Sequence, residues 1–566
     1  MSATTRPKGD GRRIAAPAPS RENSTNYATA MTTTVIVGCG IFLRSLVGMH
    51  SPSGYGDDHS GGAPAGPSSS PLPAYGGDFE AQRHWMEITY HLPISEWYTH
   101  DPEYWGLDYP PLTAYVSYAC GWLSHVLVGP ESVALGASRG YEQRDHLALL
   151  RSTVLVLDVA VYFTAVLAIA GRLAPDGAGR RALVLLALCQ PAVVLIDHGH
   201  FQYNTVALGL ALWSFYCVTA EGPFGRTCVV GAVLFALALN FKQMTLYFAP
   251  AIFAYLLGRC AGAHTWAGAA SRFVALGSAV LATFAALWWP FYVYPDAQMG
   301  GTGSVLHVLR RQFPFARGLF EGKVANLWCA LDVRPVDVRA RIPAALHAPL
   351  ALAATLLLLA PACVSLYAAG RGADARTASR HRNCLRALLW GASAAGLSFF
   401  LASFQVHEKS VLMPLAPLSL LCHDLPGFVA WFSVVAAWTL WPLMQQDKLQ
   451  LAYFSVLTIF QILLHGTEGG ATLAPKDSMA VWEKIGGPSQ TLCTLIKVGS
   501  FATMILLHVV QATVPPPARL PDVYPVLWSV VGCGCLCCAW FVTTYVSVTQ
   551  FRSVAVSPSV KKKKNQ

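Results

Sequence analysis

Apolar runs of membrane-crossing length follow one another along most of the chain, separated by short polar connections. About fourteen are expected, near 30–48, 150–171, 180–196, 204–220, 227–240, 243–258, 272–292, 346–368, 384–402, 410–422, 427–443, 449–465, 491–509 and 524–548. Two of them, Ala348–Leu366 and Val526–Val548, are near-continuous over the roughly 20 residues that a helix needs to cross a hydrocarbon core. The pattern predicts an all-α integral membrane protein. No internal repeat is visible, which argues against transporter folds built from inverted repeats.

Composition sharpens this picture. Of 566 residues, 54% are hydrophobic and 12% charged, against about 25% charged in soluble domains, so a water-soluble module is excluded. The net charge of +10 does not point to nucleic acid, because the basic residues sit in short loops and tails between the apolar runs. Arg6, Lys8, Arg12, Arg13 and Arg21 precede the first run; Arg172, Arg180 and Arg181 follow the second; Arg371, Arg376, Arg380, Arg382 and Arg386 lie between the eighth and ninth or at the start of the ninth. With an even number of spans all of these face the cytosol, as positive residues tend to. Residues 1–29 are expected to form a disordered cytosolic tail, 30–548 one membrane domain, and 549–566 a second cytosolic tail. No cleavable signal peptide is expected. The last residues, Lys563-Lys564-Asn565-Gln566, resemble a dilysine retrieval signal read by the coat machinery of the endoplasmic reticulum; they also suit a basic membrane anchor. The sequon Asn23-Ser24-Thr25 would face the cytosol and stay unused. Cys533, Cys535, Cys537 and Cys538 fall inside a predicted span and read as small packing residues, not as metal ligands.

Two long loops then face the lumen, about 50–149 and 293–345. The first opens with a Gly-, Ser- and Pro-rich insertion, Ser51–Ser70. Segments 79–91 and 111–127 beyond it have the character of helices lying along the membrane surface. The unusual polar residues collect on this same side: Gly77-Asp78-Phe79-Glu80, Leu107-Asp108-Tyr109-Pro110-Pro111, Asp197 to Asn204, Asn240 to Gln243, and Phe404 to Ser410. Ionisable groups at a bilayer edge are costly and commonly functional. The second loop breaks the positive-inside trend with Arg310, Arg311, Arg317, Lys323, Arg334, Arg339 and Arg341, which suits an anionic ligand such as a phosphate as well as a solvated loop.

A lipid-phosphate sugar donor would lie between helices with its phosphate at the luminal surface. Basic side chains would steady the leaving phosphate, and the acceptor hydroxyl would need a carboxylate base. Asp78, after two glycines, has two readings here: that base, or a helix N-cap. Asp108, before Tyr-Pro-Pro, reads equally as a turn residue. Glu80 and Glu87 share a helix face. His198 and His200, alone, are weak evidence for a metal.

Several blocks carry a more specific signal. GDFEAQRHWME at Gly77–Glu87, WGLDYPPLTAY at Trp105–Tyr115, IDHGHFQYN at Ile196–Asn204, LNFKQMTLY at Leu239–Tyr247, RQFPFARGLFEGKVANLWC at Arg311–Cys329 and FQVHEKSVLMP at Phe404–Pro414 resemble, in order, the dolichyl-phosphate-glucose-dependent α-1,3-glucosyltransferases of N-glycan assembly. The wording of the first two is closest to the branch that adds the first glucose. The resemblance implies a GT-C fold in the endoplasmic reticulum membrane with a luminal site. It implies a metal-independent, inverting transfer, with no cofactor, from dolichyl phosphate β-glucose to the terminal A-branch mannose of Man9GlcNAc2-pyrophosphate-dolichol. It gives Asp78 the place of the base. Asp108, Glu321, His407 and Glu408 match polar motif positions that shape the site, with His200 beside them, and Arg311, Arg317 and Lys409 become candidates for the donor phosphate. Competing expectations are addition of the second glucose, a different sugar such as mannose, a lipid or sugar transporter, for which Asp158 is the clearest deep ionisable residue, and a non-catalytic subunit, against which Asp78 itself argues.

Overall fold

The computed structural model describes residues 21–51, 53, 77–141, 143–220, 222–313, 319–320, 324–334, 336–374, 378–466 and 490–550. All regular structure among them is helical. The helices that matter here are α1 (Arg21–Gly48), α2 (Asp78–His91), α3 (Pro111–Leu127), α4 (Arg144–Leu173), α5 (Gly177–Leu188), α6 (Pro191–Phe201), α7 (Asn204–Val218), α8 (Arg226–Phe241), α9 (Gln243–Ala261), α10 (Trp266–Val293), α11 (Gly300–Gln312), α12 (Ala344–Arg371), α13 (Ala378–Ala402), α14 (Leu412–Ser419), α15 (Pro426–Thr439), α16 (Gln450–Gly466), α17 (Gln490–Thr513) and α18 (Val523–Gln550).

Every expected apolar run is helical, but they are not equal. Among the described residues seven helices are long and apolar enough to cross a membrane, or eight if the bent pair α5–α6 is one span. Five further apolar helices are shorter, α7 and α8 among them. The run at 410–422 is a single 3-10 turn, Glu408–Val411, leading into the eight residues of α14, all buried. Helix α1 starts at Arg21, ahead of the boundary expected at residue 29. The segments 1–20 and 551–566, with the C-terminal lysines, lie outside the described residues.

Connections assigned by charge to the same side meet one another in the structure. At one end Arg259 and Arg272 both reach Asp374, at 3.1 and 2.8 Å, and Arg386 reaches Asp424 at 3.3 Å. All come from connections expected on one side. The connections expected on the other side meet around Asp78. Helices α10 and α17 are largely unburied by the chain itself, as lipid-facing helices are.

Two expectations change. The segment 79–91 is not an amphipathic helix with a free face: Phe79 to Thr89 are all buried, charged residues included, because helix α3 and the loop at 129–138 enclose it. Arg83 is fully buried between Glu80 at 2.6 Å and Glu87 at 2.7 Å, and Ser138 and the Gly136 amide bind the far side of this cluster. Burial works against the charge on Glu87, but His84 and Arg83 win and draw its carboxyl down to about 2. Glu80 and Glu87 therefore fasten the helix instead of facing a ligand. The deep acid Asp158 is also accounted for: Arg44 binds it at 2.6 Å and His198 at 2.8 Å, all fully or nearly fully buried. These two ion pairs, both on Oδ2, tie α1, α4 and α6 together, and one deep acid paired within the fold is less than a midplane ion site built at a repeat interface needs.

Helices α9 and α12 cross closely. A Cβ on Gly258 would stand 2.2 Å from the Tyr367 carbonyl, and one on Gly370 2.1 Å from the Tyr255 carbonyl, so the two backbones touch through glycine, as small residues allow in membranes. Gly258→Ala or Gly370→Ala is expected to destabilise the protein by about 1–3 kcal/mol, the usual cost of overpacking. Gly277→Ala, with open space around it, is expected to be silent. The heat-induced loss of monodisperse protein in detergent measures both; equal midpoints for all three variants would refute the packing argument.

Candidate active site

The site begins at Gly77. Its φ of 110° lies where side chains are disfavoured, and it occupies the N-cap position, so α2 starts with Asp78 itself. Asp78 is therefore not the cap. Its carboxylate stands in the first helical turn, where the positive end of the helix favours an anion.

Three donors from distant segments converge on one oxygen of Asp78. His200 Nε2 reaches Oδ2 at 2.8 Å, and the Gln202 amide and the Lys409 ammonium bind the same atom. Among the described residues none hydrogen-bonds Oδ1, and the side chain keeps 23% of its surface exposed. The donors are themselves held. His200 Nδ1 meets the Asp447 carboxylate, an arrangement satisfied when both ring nitrogens carry hydrogen. Lys242 donates to Gln202 Oε1 at 2.8 Å, which fixes the amide with its NH2 toward Asp78. Lys242 also sits 4.7 Å from the centre of the Tyr109 ring, a cation–π contact.

Electrostatics follow from this geometry. Burial opposes the Asp78 charge, yet Lys409 and His200 hold its carboxyl well below the usual carboxylate range. For Lys409, burial is outweighed by Asp78 and Glu408, and its ammonium is held above the ordinary lysine value. Burial and Lys409 push Lys242 down. The depressed Asp78 value means that its pairing stabilises the fold fully above the unfolded value, about pH 4, and that this stability drains only as pH falls through the lower folded value.

The backbone is strained where it delivers these groups. Among the described residues six non-glycines have positive φ, and four of them, Trp105, Phe201, Gln405 and Lys448, lie within four positions of Asp108, His200, Lys409 and Asp447. Such conformations cost about 1–3 kcal/mol each and persist where packing over-determines them. Phe201 has φ 82° and lets His200 and Gln202, two residues apart, reach the same carboxylate. It packs on Phe79, ring centres 4.8 Å apart. Arg151 clamps the approach by donating to the carbonyls of His198, at 2.6 Å, and Gly199.

Of the residues expected from sequence, Asp78, His200 and Lys409 are brought into direct contact. Glu408 adjoins Lys409 and reinforces its charge. Asp108 lies at the rim, where its carbonyl takes a 3.5 Å contact from Gln243 and its charge acts on Lys242. His407 precedes the 3-10 turn with its side chain exposed. Arg311 does not join the cluster: it donates to the carbonyls of Gly106 at 3.0 Å and Leu107 at 3.3 Å, and so braces the strand of chain that carries Asp108. Arg317 and Glu321 lie outside the described residues. Sequence reasoning missed Gln202, Lys242 and Asp447. The first two stand inside polar blocks already singled out. Asp447 is the acid of a short connection, Gln445-Gln446-Asp447-Lys448, that the charge-based topology puts on the same side.

The profile of the family described as the ALG6, ALG8 glycosyltransferase family matches residues 40–542. The chain belongs to that family. A Mus musculus protein, "Dolichyl pyrophosphate Man9GlcNAc2 alpha-1,3-glucosyltransferase", is 35% identical over 515 residues, covering 88% of this chain and 93% of its own length. The Saccharomyces cerevisiae protein of the same name is 36% identical, with 90% of each chain covered. A Schizosaccharomyces pombe protein described as a probable enzyme of that name is 36% identical, with 86% of each covered. The matched region of this ALG6, ALG8 family member contains every residue of the Asp78 cluster. The cluster offers what sugar transfer needs: an ionised carboxylate with one oxygen immobilised and the other open, and a cation within its reach.

Lys242→Met would leave Gln202 Oε1 with only the 3.5 Å contact from Tyr109 and free the amide to turn. Hydrogen bonds to charged groups contribute about 1.5–3 kcal/mol, so sugar transfer is expected to fall at least about tenfold. Lys242→Arg should recover part of that loss. Unaltered turnover in the Met variant would show that the Gln202 amide needs no such anchor.

Proposed function

We propose that this chain transfers one glucose from dolichyl phosphate β-glucose to the terminal A-branch mannose of Man9GlcNAc2-pyrophosphate-dolichol, forming an α-1,3 linkage in the lumen of the endoplasmic reticulum. The observation that carries the reading is the asymmetry of Asp78. Its Oδ2 is saturated by His200, Gln202 and Lys409, so Oδ1 is the atom that receives the acceptor proton. Family membership and the names of the relatives support the choice of sugar, acceptor and linkage.

The step balances simply. The mannose 3-hydroxyl gives its proton to Asp78 Oδ1 as its oxygen bonds to C1 of the glucose. The bond from C1 to the phosphate oxygen breaks on the opposite face, and inversion turns the β-linked donor into an α-linked product. The electron pair leaves with dolichyl phosphate, whose added charge the Lys409 ammonium stabilises. Phosphate leaves readily, so no strong acid is required on that side. Asp108, Glu408 and Arg311 shape the approach, Arg311 through the carbonyls of residues 106 and 107. Both termini face the cytosol, and the terminal lysines serve retrieval.

The test is transfer by purified protein in detergent, with chelator present, from a short-chain dolichyl phosphate glucose to the nine-mannose lipid-linked acceptor. General-base catalysis contributes about 10²–10⁴-fold, so Asp78→Asn is expected to lose at least about a hundredfold while remaining folded. Full activity in that variant would move the base elsewhere. Transfer only to an acceptor already bearing one glucose would reassign the protein to the second step.

A further inference from the structure

The three donors on Asp78 differ in how firmly they are held. The His200 ring is pinned at both nitrogens, by Asp78 and by Asp447, and is 5% exposed. The Gln202 amide is pinned by Lys242. Lys409 is held at one end only. It rises from a single 3-10 turn, keeps 17% of its side chain exposed, and among the described residues Asp78 Oδ2 is its sole hydrogen-bond acceptor. An ammonium has three donors, so two remain for another anion without the chain moving.

We propose that Lys409 is an exchangeable counter-ion: the donor's phosphate draws its ammonium away from Asp78, so the carboxylate becomes a competent base only in the donor-bound enzyme. This rests on reading Asp78 as the base and Lys409 as the phosphate ligand, and it deepens that reading. Without donor, Lys409 and His200 together make Asp78 a poor proton acceptor. The donor is a phosphodiester carrying one negative charge throughout the working pH range. Once its oxygens share the ammonium, Asp78 keeps His200 as its fixed partner and regains affinity for a proton. The charged groups facing this exchange are Asp78 and His200, Glu408 beside Lys409, Lys242 behind Gln202, and Asp447 behind His200. Of the other cations, His200 is tied to Asp447 and Lys242 to Gln202, so neither is placed to follow the phosphate.

Linkage makes the idea measurable. If donor binding raises the proton affinity of Asp78, then removing the Asp78 charge must tighten donor binding by the same factor. In equilibrium binding of a labelled short-chain dolichyl phosphate glucose, without acceptor, Asp78→Asn should bind about tenfold more tightly than wild type, within the usual range of such couplings. Lys409→Met should bind more weakly, and adding Asp78→Asn to it should gain nothing. Equal or weaker binding by Asp78→Asn overturns the exchange, as does unchanged binding by Lys409→Met. Wild-type kinetics give the same answer without substitution. The value of kcat/KM for donor reports the free enzyme and kcat the loaded one. On acidification kcat should fall at a pH where kcat/KM for donor is still level; coincident acid limbs overturn the proposal. The base reading fails separately, if Asp78→Asn still transfers sugar at the wild-type rate. An inactive Asp78→Asn that binds donor no better sinks the exchange alone.

Discussion

Much of this molecule is arranged around a single carboxylate that must stay ionised while largely withdrawn from water. A buried charge needs compensation and hydrogen bonds, and Asp78 finds both only in segments far away in the chain, at residues 200, 202 and 409. Asp447 extends the network by holding His200. The cluster therefore requires that α2, α6, the turn before α14 and the connection before α16 all end at one level. Each is a place where a hydrophobic helix stops and a few polar residues turn. The fold can be read as a device that brings these ends together.

That requirement explains the irregularity of the helices near the site. A straight helix through residues 191–218 would carry His200 and Gln202 on different faces. The chain instead breaks after Phe201, widens into a π-type turn over Leu195–Phe201 and restarts at Asn204. π-type turns inside α-helices are frequent at functional sites. Asp197 caps the restart, accepting from the Asn204 side chain at 2.7 Å and the Thr205 amide at 2.6 Å. The strain at Phe201 is borne by its burial against Phe79, the residue after Asp78, so the two halves of the site share one packing contact.

How much of this was legible in the sequence depended on the range of the interaction. Apolar runs are local, and each is helical in the structure. Sidedness was read from local charge, and connections assigned to the same side meet one another in ion pairs. Asp78, His200 and Lys409 stood out because they interrupt apolar surroundings within specific motifs. Asp447 did not, because nothing in Gln445 to Lys448 marks it as the partner of a histidine 247 positions earlier. Nor does the sequence say that α2 is enclosed. Its alternation of Glu80, Arg83 and Glu87 with apolar residues looks like a surface helix until Ser138 and Gly136 close over the charges. Arg311 shows a related limit: a cation in a basic loop suggests an anion, and the sequence does not reveal that its acceptors within the chain are the backbone carbonyls of Gly106 and Leu107. Span bounds were legible as well: α7 and α8 run over nearly the residues expected of them, and the site lies at the start of one and the end of the other.

The distribution of charge also fits transfer better than transport. The deep acid Asp158 is neutralised by Arg44 and His198, whereas a denser group of acids and cations gathers around Asp78. There Asp78, Glu408 and Asp447 face Lys409, Lys242 and His200. In the proposed reaction Asp78 loses a negative charge by taking a proton, and the departing phosphate gains one. The total charge of the site does not change; a negative charge moves from one oxygen to another. Lys409 stands where it can serve both, so the field that stabilises the product is already present before the bond breaks. Preorganised stabilisation of this kind needs little rearrangement at the moment of reaction, and it accounts for a site in which one cation is left free to shift while its neighbours are tied in place.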